Sequence, residues 1–199
     1  MPEEEITELD ARAVRATIPL VNQVTAADLG RPTPCGNWNL GELIAHMTAQ
    51  HHGFAASAHG GATGLADWQP GPPAADPVKA YAASAEEVLA AFAEDGAAKR
   101  RFALPEILPS ITFPGRQAIS FHLVDYVVHG WDVARSLGVD YTLDDALLAA
   151  ARRVATMVPD GDNRTQPNAA FAPALAPPPG ASELDQIVAT LGRAPTWPN

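Results

Sequence analysis

The segment that most constrains this chain is a proline-free, largely apolar run from Gln117 to Leu137. It contains Phe121-His122-Leu123-Val124-Asp125-Tyr126-Val127-Val128-His129-Gly130-Trp131-Asp132. Its length and lack of breakers predict one helix, stopped at Gly138. At about 100° per residue, His122, Asp125 and His129 fall within about 60° of one another on that helix. Ala118, Val133 and Ser136 share the stripe, so a polar cluster lies on the side expected to face a core. Imidazoles and a carboxylate are costly to bury there without partners. A divalent metal would satisfy them, and the Asp125-x-x-x-His129 spacing sets two ligands one turn apart. Hydrogen bonding among the buried polar residues would satisfy them as well, and spacing alone does not choose.

A third ligand has to come from another helix, and His46 is the candidate. Asn39 followed by Glu42 has the form of a capping box, which predicts a helix starting at Leu40. On that helix Leu43, His46, Met47, Gln50 and Phe54 share a face. Helix bundles assemble metal sites in this manner, from inward-facing side chains of neighbouring helices. Three protein ligands would leave open positions, the layout of a reactive site. Two imidazoles and a carboxylate suit Zn, Ni, Fe or Mn, and ligand type alone does not choose among them; zinc is the expected ion.

His122 has three readings: a fourth ligand, a catalytic general base or outer hydrogen-bond donor, or a plain core histidine. Asp132 could orient the His129 imidazole or form an ion pair with Arg135 or Arg116. Trp131 is expected to pack, and Gly130 to allow a neighbouring element close. His51 and His52 read as peripheral, with His51 the weaker cavity candidate. His59, at a helix end, needs no function. Cys35, in a proline loop, reads as a small hydrophobe rather than a nucleophile.

The chain resembles the small actinobacterial metal-binding proteins of the DinB-like superfamily, in the branch related to the N-terminal domain of mycothiol-dependent maleylpyruvate isomerase. Four pieces carry the resemblance: Thr33-Pro34-Cys35 with Trp38; Leu43 to Met47; Asp125 to Asp132 with Ala134-Arg135; and Leu191-Gly192-Arg193-Ala194-Pro195-Thr196-Trp197. The resemblance implies an all-α four-helix bundle with a long crossover, short extra helices and a Pro-rich C-terminal tail. It implies a metal held by His46, Asp125 and His129, with Asp125 standing where the branch has the longer Glu. It also implies mycothiol as thiol cofactor, and thiol transfer to an electrophile or a thiol-assisted isomerisation. The isomerase of the branch carries an additional C-terminal domain, so isomerase activity itself is not carried over. A non-catalytic metal or small-ligand binder and a metal-dependent hydrolase using bound water are the alternatives.

Composition narrows the classes. The chain has 199 residues, enough for one domain spanning 1–199, and 47% of them are hydrophobic against 18% charged, which is globular. A net charge of -10 gives no footprint for nucleic acid or an anionic membrane. A single cysteine allows no internal disulfide and fits a reducing cytoplasm. The acidic start lacks the apolar stretch of a secretory signal, and no apolar run reaches membrane-spanning length. Gly-x-Ser-x-Gly, phosphate-loop, dinucleotide and His-Glu-x-x-His motifs are absent from the sequence. The resemblance implies small-molecule thiols or electrophiles as partners, and a homodimer is compatible with the chain.

Along the chain, a first helix is predicted over 3–24, kinked or split by Pro19. The second should cover 40–59 and end at Gly60-Gly61. A Gly/Pro loop over 62–76 contains Trp68, and a third helix, capped by Asp76, covers 77–95. Residues 99–114 read as an irregular connection, with Lys99-Arg100-Arg101 a solvated turn. A fifth helix, over 144–157, should be begun by Thr142 with Asp145. Residues 159–181 read as irregular Pro-rich surface chain, followed by a short helix over 182–191.

Overall fold

Six helices and one small hairpin make up the computed structural model, which describes residues 3–36, 38–61, 64–166 and 169–198. Helix α1 spans Glu3–Val21, α2 Leu40–Ala58, α3 Pro77–Ala93, α4 Gly115–Leu137, α5 Asp145–Ala155 and α6 Glu183–Thr190. Strands β1 (Arg101–Ala103) and β2 (Thr112–Pro114) form an antiparallel hairpin between α3 and α4.

The helix boundaries follow local chemistry. Asn39 accepts from the Glu42 amide at 2.9 Å while Glu42 accepts from the Asn39 amide at 2.9 Å, so the capping box starts α2 as expected. Asp76 caps α3 through the Lys79 amide. Gly138, with φ 72°, closes α4 in the left-handed conformation that favours glycine. Helix α1 runs through Pro19 without splitting, because the proline falls in the last turn and removes one backbone bond there. The cap of α5 is Asp144, not Thr142: its carboxylate accepts from the Leu147 amide at 3.1 Å, a negative charge at the positive end of the helix.

Helices α1 and α4 pack together, as do α2 and α3, and the four close a ring because α1 also meets α3 and α2 meets α4. Sequence neighbours α1 and α2 therefore lie across the bundle from each other, and so do α3 and α4. This is the crossover architecture that the family resemblance implies. Helix α5 rests on α4 and α1, and α6 on α5. Residues 99–114 are more ordered than expected: Phe102 and Phe113 are paired in the hairpin, both buried, and Ser57 of α2 donates to the Ala103 carbonyl at 2.9 Å. The 62–76 loop also has an anchor. Trp68 is buried in a short 3-10 turn, and its ring lies so close over Gly53 that a Cβ there would sit 2.6 Å from it. In the Pro-rich segment, the buried Arg164 guanidinium donates to the carbonyls of Val158, Pro159, Ala172 and Thr190, which pins the segment to α6.

Inside the ring lies a second group of polar side chains. His122 Nδ1 is 2.7 Å from Asp10 Oδ1 of α1, and both residues are almost wholly buried. His51 stacks on Tyr126 with ring centroids 4.2 Å apart, and is fully buried rather than peripheral. Its Nδ1 is 3.0 Å from Ser84 Oγ, whose own proton goes to the Tyr81 carbonyl. Nδ1 is therefore the donor, and Nε2 is left without a partner in the core. Burial, with His122 and His52 adding to it, pushes the His51 imidazole well below its usual range.

This lowering has a defined sign. The unfolded chain takes up the His51 proton near pH 6.5 and the folded chain does not, so the contribution is complete above that pH and is lost below it. Metal-free protein taken from pH 7.5 to 5.5 should lose more stability than a His51→Asn variant, measured by urea unfolding. Parallel pH dependences in the two proteins would assign the buried imidazole no such role.

Candidate metal centre

Helix α4 brings Asp125 and His129 to the α2 side of the ring, one turn apart, and α2 supplies His46. Ligand atoms of the three residues lie within 4.8 Å of one another. His129 Nε2 is 3.3 Å from Asp125 Oδ1, and the His46 and His129 rings meet edge to face at 5.3 Å. The Asp125 side chain keeps 23% exposure, so the group is reached from solvent. His122, on the same stripe, does not join it. Among the described residues, the groupings with metal-ligand spacing are this trio and a second set of Cys35, His129 and Asp132. One helical face has thus been divided, with His122 turned to Asp10 on α1 and the Asp125–His129 pair to His46 on α2.

Charge is distributed unevenly over the trio. Burial alone would disfavour a charged His129, but the Asp125 carboxylate and hydrogen bonds to Asp125 and Asp132 outweigh it and raise the imidazole to about 10. Burial likewise opposes ionisation of Asp125, yet His129, with smaller help from His46 and His122, takes its carboxyl below the usual range. The two form an ion pair in which His129 is buried and Asp125 partly exposed. His46 moves the other way, lowered to about 4 by burial and then by the positive His129. At neutral pH it carries a free lone pair.

The opposite nitrogen of His129 is held as well. Nδ1 is 3.0 Å from Asp132 Oδ2, and Arg193 Nη2 approaches the same oxygen at 3.4 Å. The ion-pair partner of Asp132 is thus the tail residue Arg193, not Arg135 or Arg116. Arg193 Nη2 also lies 3.3 Å from Cys35 Sγ. Cys35 is half-buried at the site rather than a remote core residue, and burial raises its thiol. The Cys35 loop is shaped by Thr33, whose hydroxyl donates to the Trp38 carbonyl and accepts from the Cys35 amide. That loop sets Trp38 against His46 with ring centroids 4.6 Å apart.

Gly130 completes the frame. A Cβ there would meet the Tyr141 hydroxyl well inside van der Waals contact and Thr17 Cγ2 of α1 at 3.0 Å. Its absence lets α1 close against α4 at the level of His129. Trp131 is buried as packing, with the Arg135 guanidinium over its ring. His52 and His59 lie apart, paired with Glu87 and Glu94 respectively.

Sequence reasoning did not assign Cys35 or Arg193 to the centre. The signal for Arg193 lies in the Leu191 to Trp197 segment, which is too polar and glycine-containing to read as core. Arg193 is nonetheless buried, with Nη1 on the Leu191 carbonyl at 3.0 Å.

Comparison with known proteins places this arrangement. Two uncharacterized proteins, from two strains of Mycobacterium tuberculosis, are each 32% identical over 191 residues, covering 92% of this chain and 94% of the relative. The crystal structure of the mycothiol-dependent maleylpyruvate isomerase superposes with a TM-score of 0.63 at 16% identity, covering 83% of this chain and 72% of that one. A mutant of that isomerase gives a TM-score of 0.64 at 15% identity with the same coverage. These structures share the helical fold found here. Residues 11–134, which include His46, Asp125 and His129, match the mycothiol maleylpyruvate isomerase N-terminal domain, and the chain belongs to that family.

Proposed function

We propose that the protein binds one divalent metal, zinc in the first instance, through His46, Asp125 and His129, and acts with a low-molecular-weight thiol of the mycothiol type. The observation that carries this reading is the convergence of two imidazoles and one carboxylate within 4.8 Å, at a solvent-reached point between α2 and α4. The donors would fit such an ion once it displaces the Nε2 proton of His129: a neutral His46, an ionised Asp125, and a His129 whose other nitrogen is held by the Asp132 carboxylate. A metal bound there supplies a Lewis acid that favours a thiolate over a thiol at neutral pH. Three protein ligands leave room for an incoming group. The reaction class is sulfur addition to an electrophilic carbon, as thiol transfer or within a thiol-assisted isomerisation.

The chain's own residues do the positioning. Asp132, held by Arg193, fixes the orientation of the His129 ring. Trp38 packs its ring against His46. The placement of His122 favours a structural part over that of a base acting on water, since Nδ1 is engaged by Asp10 and the ring is enclosed by Phe54, Phe92 and Tyr126.

Two measurements check the reading. Cobalt-substituted protein should develop a sulfur-to-metal charge-transfer band on titration with mycothiol, and product should accumulate when an electrophile is added. No spectral change at millimolar thiol would remove thiol chemistry from the account. Separately, Asp132→Ala should weaken metal affinity about 10- to 100-fold in a competition titration with a chelator, as loss of such outer partners does. An unchanged affinity would show that Asp132 does not orient His129.

A further inference from the structure

We propose that Gln50, Glu106 and Gln69 form a polar subsite that receives the uncharged, hydroxyl-rich body of the thiol. The inference rests on the thiol reading above and deepens it. Gln50 lies on α2 one turn beyond His46 and is buried, with 5% exposure. Its amide is not spent inside the bundle: Nε2 donates to Glu106 Oε2 at 2.8 Å. Gln69, next to the 3-10 turn that carries Trp68, donates to Glu106 Oε1 at 3.1 Å. On the other ligand helix, Phe121 lies one turn before Asp125 and packs edge to face on Phe113 of β2 at 5.7 Å. The hairpin and its loop thus touch both metal-ligand helices, each about one turn from a ligand. Glu106 belongs to this bridge, close enough to Asp125 for the two negative charges to oppose each other. Glu106 and Gln69 are exposed at this rim; the partial desolvation of Glu106, and Asp125 with it, raises its carboxyl, while Gln50 counters.

Two features of Glu106 define what it would take. An ionised carboxylate has about four acceptor positions, and the two amides fill two of them. The remaining lone pairs can accept only from donors, which hydroxyls supply. A second carboxylate arriving at this rim would face Glu106, Asp125 and a chain of net charge -10. The subsite therefore favours a neutral polyol body, such as the sugar portion of mycothiol, over thiols that carry free carboxylates. Residues four apart on a helix are about 5–6 Å from each other at Cβ. The rim is therefore too far from the trio to touch the sulfur, and suits a body extending from it.

The test compares two thiols on metal-replete protein by isothermal titration calorimetry: mycothiol, and N-acetylcysteine methyl ester as the thiol head without the sugar. Wild type should bind mycothiol at least about 10-fold more tightly, the order of one or two hydrogen bonds to a charged acceptor. Glu106→Ala should remove most of that margin and leave the ester within about twofold. Gln69→Ala, which removes one of the two amides holding Glu106, should remove a smaller part, with metal content unchanged in both variants. Equal affinities of wild type for the two thiols, or an unchanged mycothiol affinity in Glu106→Ala, would overturn the subsite while leaving the thiol reading intact. Equal weakening of both thiols would make Glu106 part of the frame, and also overturns it. Failure of wild type to bind either thiol would remove the proposed function and the subsite together.

Discussion

Everything at the centre depends on one imidazole held from both sides. His129 meets Asp125 through Nε2 and Asp132 through Nδ1, at 3.3 and 3.0 Å. Asp132, itself buried and shared with Arg193, fixes the Nδ1 side of the ring, so the Nε2 side is kept facing Asp125 and the solvent-reached edge of the trio. The helix carrying it must then lie close to its neighbours, and the missing side chain at Gly130 permits this where Tyr141 and Thr17 press in. The ring of four helices is in this sense built around α4, whose residues from Ala118 to Ser136 are mostly buried.

The bundle alone does not finish the site. Helices supply the trio, but its surroundings come from segments outside regular helix. The Thr33–Trp38 loop brings Cys35 and Trp38, the C-terminal tail brings Arg193, and the loop between β1 and β2 brings Glu106. Cys35 and Arg193 lie on the Asp132 side of His129, Trp38 lies against His46, and Glu106 is joined to Gln50. Such a division suits a scaffold whose ligand set is fixed by rigid helices and whose choice of incoming molecule is set by loops.

Much of this was legible from residue spacing, because helices advertise themselves. The capping box at Asn39 and Glu42, the Asp76 cap and the glycine stops all rest on local backbone chemistry, and they mark α2, α3 and α4 closely. The proximity of His46, Asp125 and His129 was expected from family resemblance together with wheel positions. Three features were not legible. The hairpin strands Arg101–Ala103 and Thr112–Pro114 are too short for an alternating pattern to stand out. Periodicity places His122 and Asp125 on one stripe, but which neighbouring helix each faces depends on the order of helices around the ring, which is a tertiary property. Arg193 lies far along the chain from its partners, and a buried arginine in a polar tail has no local signature.

The central claim is that His46, Asp125 and His129 hold a metal, and elemental analysis of protein purified without an affinity tag tests it most directly. About one divalent ion per chain is expected in the wild type and in His59→Ala, and none in folded His46→Ala or His129→Ala, with helical content checked by circular dichroism. Stoichiometric metal retained by folded His46→Ala would contradict the account, as would a wild-type protein that takes up no divalent ion when one is offered in excess.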